Sequence, residues 1–149
     1  MAKKTSLCFV CTGNTCRSPM AQFILKNLIS KDEALDIKIT SFGVNVTETE
    51  MSLFAKNLLK SKKIKMTKFT PKQISLDKVK GYDAIVAVTD DIMAYLKVNG
   101  YQNVYSVNQL TKLGDVIDPY GGNYDDYLSC FNHLEKSCEI IFDMLKQVI

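Results

Sequence analysis

The sequence predicts an α/β fold, a single-domain three-layer arrangement in which a four-stranded parallel sheet carries helices on both faces. Short apolar runs alternate along the chain with longer segments whose apolar residues recur at helical spacing. The clearest run, Ala84-Ile85-Val86-Ala87-Val88, has no polar alternation and reads as a strand buried on both faces, the habit of parallel sheets. The 149 residues hold no repeat, low-complexity tract or linker, so residues 1–149 are expected to form one domain around one core.

The first strand is Leu7–Val10. A helix from Pro19 to about Ile29 follows, with proline tolerated in the first turn because the amide it lacks would find no partner there. Ile37 and Ile39, before Thr40-Ser41, mark a second strand. Thr47-x-x-Glu50 has the spacing of a capping box, and Leu53, Phe54, Leu58 and Leu59 are expected on one helical face behind it. After the Ala84–Val88 strand, Thr89 is placed to cap a helix and Gly100 to stop it. Val104–Val107 is the fourth strand, followed by a short helical piece from about Asn108 to Leu113. The last helix carries Leu128, Phe131, Leu134, Cys138, Ile141 and Leu145 at spacings of three and four, a core-facing stripe. Cys130 lies off that stripe and is expected to be more exposed; the lone His133 is expected to face solvent.

Composition narrows the partners. Apolar and charged fractions of 46% and 23% are ordinary for a globular protein, and a net charge of +3 makes no case for nucleic acid. No apolar run approaches the roughly 20 residues that span a membrane. Met1-Ala2-Lys3-Lys4-Thr5 offers two lysines but no apolar leader. Five cysteines, an odd number with two in one loop, argue against a disulfide framework and for a reducing cytoplasm. A monomer is expected.

The chemistry is concentrated in Val10-Cys11-Thr12-Gly13-Asn14-Thr15-Cys16-Arg17-Ser18-Pro19. Strand end, tight loop and helix start share one stretch. Loop amides and a helix N-terminus offer positive partial charge to a phosphate dianion. The same field favours a thiolate, and can bring a cysteine pKa from about 8.5 into the range of roughly 3.5–7.5. Arg17 adds a planar fork matched to two phosphate oxygens. Cys11 read alone would be a buried structural cysteine; with Arg17 and Ser18 at these offsets it reads as a nucleophile. Cys8-x-x-Cys11 is not taken as a metal or redox pair, because residues three apart on a strand point to opposite faces. Ligands of parallel sheets gather beyond the strands' carboxyl ends. Cys11, Ser41 and Asp118, following the first, second and fourth strands, share that rim.

This loop, Cys-x5-Arg-Ser within the first twenty residues, resembles that of the low molecular weight protein tyrosine phosphatases. Ser41-Phe42-Gly43 sits where that family has Ser-Ala-Gly, and Gly114-Asp115-Val116-Ile117-Asp118-Pro119-Tyr120-Gly121-Gly122 looks like its Asp-Pro acid loop. Chain length fits too, so the resemblance covers essentially the whole sequence. It implies a cysteine-dependent phosphoprotein phosphatase, working without metal or cofactor through a cysteinyl-phosphate.

Within that reading Thr12, Gly13, Asn14, Thr15, Cys16, Arg17 and Ser18 bind phosphate, and inorganic phosphate is product and inhibitor. Gly13 and Asn14 are expected to give the backbone freedom that turns successive amides inward. Ser18 is a hydroxyl donor to the Cys11 sulfur, or a plain helix cap. Asn14, Ser18 and Ser41 resemble residues that hold the loop in shape. Asp118 is the acid that lets an alkoxide, phenolate or amine leave neutral, stiffened by Pro119, and it then serves as the base that activates water. Asp115 is expected to be a loop charge, and Asp125 and Asp126 helix-start caps. The resemblance implies that Cys16 can trap an oxidised Cys11 as a disulfide; simple packing is the alternative. Tyr120 is a wall for the substrate side chain, and the lysines from Lys56 to Lys72 are a solvated face or a steering field.

Substrate choice turns on Thr15. Many phosphotyrosine-directed members have an aliphatic residue there, whereas Thr12-Gly13-Asn14-Thr15 with Asp118-Pro119-Tyr120-Gly121-Gly122 looks more like the bacterial branch that includes protein-arginine phosphatases. Phosphotyrosine and phosphoarginine both stand as substrates. The family usually has a histidine near Phe69, in the network around Ser41, and its absence puts that network in doubt. Arsenate reductase is the remote alternative; it needs a relay of further cysteines, for which Cys130 and Cys138 on the last helix are poorly located.

Overall fold

The computed structural model describes residues 4–148; Met1, Ala2 and Lys3, where the expected lack of a leader was read, lie outside them. The elements run β1 (Thr5–Cys11), α1 (Arg17–Ile29), β2 (Ile37–Gly43), α2 (Leu53–Ser61), β3 (Ala84–Ala87), α3 (Asp90–Val98), β4 (Val104–Ser106), α4 (Val107–Thr111) and α5 (Tyr124–Val148). The four strands are parallel, in the order β2-β1-β3-β4. The chain therefore reverses its lateral direction at β1, and the crevice beyond the carboxyl end of β1 is where such a sheet takes a ligand.

Side chains of β1 alternate between two cores. Leu7, Phe9 and Cys11 join Val86 and residues of α1, α2 and α5, among them Met20, Phe23, Leu58, Phe131 and Leu134. Cys8 and Val10 join Ile85, Ala87, Phe42, Val104 and Leu96 of α3. Cys8 and Cys11 thus belong to opposite faces. Each large side chain so buried contributes about 1.5–3 kcal/mol.

Several local expectations hold for identifiable reasons. Thr89 Oγ1 accepts from the Ile92 amide at 3.2 Å, capping α3. Gly100, at φ +90°, ends that helix in a conformation that strains any side chain. Others need correction. The helix after β4 starts at Val107, because Ser106 caps it in a reciprocal box with Gln109 and so takes Val107 out of the strand. Thr47 and Glu50 form no capping box: α2 begins at Leu53, and the preceding segment is held to the loop after β1 by the Ser52 amide donating to the Thr15 carbonyl at 2.8 Å. Leu53 and Phe54 are exposed, and α2 buries Ala55, Leu58 and Leu59 instead. On α5, α1, α2 and α4 all pack, which widens the buried face beyond one row. Leu128 is only partly buried, while Tyr127 and Cys130, 5% exposed, are inside.

Candidate active site

The loop between β1 and α1 is tied down through its carbonyls. Those of Cys11, Thr12, Thr15 and Cys16 accept from the amides of Val44, Asn45, Ser52 and Met20 at 2.8–3.0 Å. The amides of Thr12, Gly13, Thr15 and Cys16 have no partner among the described residues, so the loop offers a set of unspent donors at the start of α1. No acidic residue occupies the first turn of that helix, and no side chain caps it. An anion completes such a terminus. The left-handed residue is Asn14, at φ +56°; Gly13 is not in that region, which corrects the expectation that both supply unusual backbone freedom.

Asn14 is fully buried and uses its whole side chain. Nδ2 donates to Ser18 Oγ at 2.8 Å and to Ser41 Oγ at 3.0 Å, while Oδ1 accepts from the Lys72 amide at 2.9 Å. Ser41 in turn donates to Gln22 Oε1 at 2.6 Å. At the other end, Ser18 Oγ lies 2.8 Å from Cys11 Sγ, which also accepts from the Asn14 amide at 3.2 Å. The Ser18 proton has a second acceptor, the Phe42 carbonyl at 3.3 Å. When Cys11 is a thiolate it can only accept, and the Ser18 proton goes to sulfur. A continuous chain thus runs from Cys11 through Ser18, Asn14 and Ser41 to Gln22. Phe69 packs edge-on against Phe23 at 5.9 Å, and the network doubted for want of a histidine there is completed by Gln22 on α1.

Arg17 is buried and linked to the acid loop. Nη1 donates to the Val116 carbonyl at 3.0 Å and Nη2 to Thr12 Oγ1 at 3.3 Å, and Nη2 lies 3.5 Å from Asp118 Oδ2. Val116 itself donates to the Val88 carbonyl, which fixes the acid loop to the end of β3. Asp118 Oδ1 accepts from the Tyr120 amide at 3.1 Å, holding a half-exposed carboxylate in one orientation. Asp115 is more than a loop charge: it accepts from the Asp90 amide at the start of α3. Asn123 and Asp126 cap α5 reciprocally, so Asp126 has the expected role while Asp125 shows none.

Above the loop opens a cleft of about 680 Å³, lined by Thr12, Gly13, Thr15, Cys16, Asp118 and Tyr120 together with Glu48, Glu50 and Tyr127. Fold and sequence reasoning meet here: every residue expected at the site lies in this loop, its supporting network or the cleft wall. Missed as site residues were Gln22 and Tyr127, which carry no local motif, and the segment from Thr47 to Leu53, whose Thr47-x-x-Glu50 spacing pointed to a helix cap instead. Cys16 is 7% exposed, and hydrogen bonding with the Cys130 side chain, followed by burial, pushes its pKa up. His133, expected in solvent, is half-buried with Nε2 enclosed and unpartnered among the described residues, and burial lowers its pKa.

Residues 6–148 match the profile of the low molecular weight phosphotyrosine protein phosphatases. The chain is 30% identical to the low molecular weight protein-tyrosine-phosphatase PtpB of Staphylococcus haemolyticus over 85% of its length and 89% of that protein's. It is also 30% identical to the protein-arginine-phosphatase of Bacillus subtilis, covering 93% of this chain and 95% of that one. A YwlE arginine phosphatase, solved as a cysteine-to-serine mutant with a phosphorylated active-site serine, superposes with a TM-score of 0.84 at 29% identity, covering 95% and 96% of the two chains. Fold, loop and relatives agree, and the chain belongs to the low molecular weight phosphotyrosine protein phosphatase family, cysteine-based phosphatases that act on phosphoproteins.

Proposed function

We propose that this protein removes phosphate from phosphoarginine side chains, with Cys11 as nucleophile and Asp118 as acid and base. The Cys11 thiolate attacks phosphorus in line while Arg17 and the unpartnered amides from Thr12 to Cys16 hold the three equatorial oxygens. Asp118 protonates the departing nitrogen. It then takes a proton from the water that hydrolyses the cysteinyl-phosphate, and Ser18 donates to the sulfur as it leaves. Charge on the transferring group is met by Arg17 and the backbone, so the scheme requires no metal ion or cofactor. Inorganic phosphate, the product, competes for the same loop. The protein acts as a monomer in the cytoplasm; no described helix is long and apolar enough to cross a membrane.

The observation that carries the choice of substrate is the hydroxyl of Thr15. Thr15 lines the cleft together with Glu48 and Glu50, and its hydroxyl has no hydrogen-bond partner among the described residues. A guanidinium has N–H donors for such oxygens; a phenyl ring has none. The Tyr120 and Tyr127 rings in the same cleft support phosphotyrosine as the second reading. Turnover of matched phosphoarginine and phosphotyrosine peptides by the wild type and by Thr15→Ile tests the choice. The substitution is expected to shift the ratio of kcat/KM toward phosphotyrosine by about 5- to 200-fold, the reach of one such contact. Equal effects on both peptides would remove Thr15 from substrate selection.

A further inference from the structure

The side chains of the seven lysines from Lys56 to Lys72 take no part in phosphate transfer, and their distribution is uneven. None of the 16 acidic residues lies between Glu50 and Asp77, so a wholly basic segment sits in a chain of net charge +3 whose remainder is net acidic. Lys56 and Lys60 stand one turn apart on α2 and line a groove of about 400 Å³ with Leu53, Asn57, Ile64 and Met66. Leu53 also lines the cleft above the phosphate loop, so the groove begins where that cleft ends. Ile64 and Met66 give it an apolar floor, and Leu53, 71% exposed, stands open at the junction. The two ammonium groups and the Asn57 amide have no partner among the described residues. A lysine in the last turn of a helix complements its dipole, which accounts for Lys60 alone; Lys56 is in the middle of α2.

We propose that this groove receives the stretch of the phosphoprotein substrate that flanks its phosphorylated residue, and selects flanks carrying two acidic residues separated by one. The inference deepens the proposed function and rests on it for the phosphorylated residue seated in the adjoining cleft. Four residues of α-helix advance about 6 Å, and two residues of an extended chain advance about 6–7 Å. Side chains two apart on an extended segment share a face, so a Glu-x-Glu pair meets Lys56 and Lys60 together, whereas adjacent acids point to opposite sides. Asn57, between the lysines, has both a donor and an acceptor for the segment's backbone. Leu53, Ile64 and Met66 pack against the apolar parts of its side chains. Nearer the phosphorylated residue the wall changes sign: Glu48 and Glu50 line the cleft, and an acid immediately beside that residue is repelled. Contacts this far from the reacting atoms act equally on bound substrate and transition state, so they lower KM and leave kcat alone.

The test measures turnover of phosphopeptides in which a Glu-x-Glu pair is moved along either flank, at low ionic strength. The controls carry Gln-x-Gln, or adjacent Glu-Glu of the same net charge, and every peptide is made with phosphoarginine and with phosphotyrosine. At the best position Glu-x-Glu is expected to lower the wild-type KM by roughly 3- to 30-fold against Gln-x-Gln, at about two- to fivefold for each exposed pair, with kcat unchanged. Adjacent Glu-Glu is expected to gain about one pair's worth, and high salt to erase the difference. Lys56→Gln with Lys60→Gln is expected to remove the preference without changing aryl phosphate hydrolysis, and Lys56→Arg with Lys60→Arg to keep it. A wild type indifferent to the flank overturns the proposal, whether or not the variants fold; co-sedimentation with phosphatidylserine vesicles would then assign the lysines to a membrane surface. Equal KM values for Glu-x-Glu and Glu-Glu, or an equal loss on aryl phosphate in the glutamine variant, would reduce the lysines to a long-range steering field and overturn it as well. A flank preference that holds while phosphotyrosine is the better substrate throughout would refute phosphoarginine as the substrate and leave the groove standing, a separate failure.

Discussion

Gly43→Ala is the sharpest test of how the anion loop is held. Gly43 ends β2 opposite Cys11. A Cβ built there would lie 2.7 Å from the Thr12 carbonyl oxygen, 2.8 Å from Val46 Cγ2 and 3.0 Å from the Asn14 amide nitrogen. Val46 can turn aside; the two backbone atoms cannot, because the Thr12 carbonyl is bonded to Asn45 and the Asn14 amide to Cys11 Sγ. The loop must withdraw by roughly half an ångström to reach ordinary contact, at a cost of about 1–3 kcal/mol in stability. Misplacing a reacting group by 1 Å costs about a hundredfold, so a loss of roughly 10- to 100-fold in kcat/KM is expected. The assay is steady-state hydrolysis of an aryl phosphate, with competitive inhibition by inorganic phosphate and urea unfolding in parallel. All three are expected to weaken together. A variant with kcat/KM within about twofold of wild type and unchanged phosphate inhibition would refute the claim that Gly43 seats the loop.

Asp118→Asn is expected to slow hydrolysis of substrates with poor leaving groups by roughly 10²–10⁴, and activated aryl phosphates less; a uniform loss would point to another acid. Gln22→Leu leaves the Ser41 proton without its acceptor, which predicts a loss of about 1–3 kcal/mol in urea unfolding and a drop in kcat/KM. Gln22→Glu keeps an acceptor and should recover both; failure to do so would detach Gln22 from the network. Asp90 accepts from Ser106 Oγ at 2.5 Å and Asn108 Nδ2 at 3.0 Å, and the Ser106 bond, ahead of the Asn108 bond, lowers its pKa. Its stabilising contribution is therefore present above the ordinary aspartate value of about 3.9 and is lost as pH falls below it. The difference in melting temperature between wild type and Asp90→Asn should be largest near neutrality and shrink as the solution is made acid; a difference that does not shrink would contradict this.

Much of the site is legible because its chemistry is local. Cys11 to Ser18 occupy one loop, and a strand end, a short loop and a helix start can be arranged in few ways when an anion must be gripped between them. Asp118-Pro119 is likewise a motif in itself, and the parallel sheet follows from apolar runs alternating with helical periodicity, which placed Cys11, Ser41 and Asp118 on one rim. Periodicity failed where an element is covered from several sides. Helix α5 packs against α1, α2 and α4, so Cys130 is buried although it lies off the stripe, and His133 is half-buried rather than solvated. The Thr47-x-x-Glu50 spacing failed because the Ser52 amide is held by the Thr15 carbonyl, a contact between distant segments that displaces the start of α2. Gln22 in the place left by a missing histidine, Lys72 on Asn14, Val116 on Arg17 and Cys130 against Cys16 all depend on how separate elements dock. A sequence states which groups a residue offers; which group meets which across the core is decided by packing, because only the assembled layers bring side chains from distant segments within bonding distance.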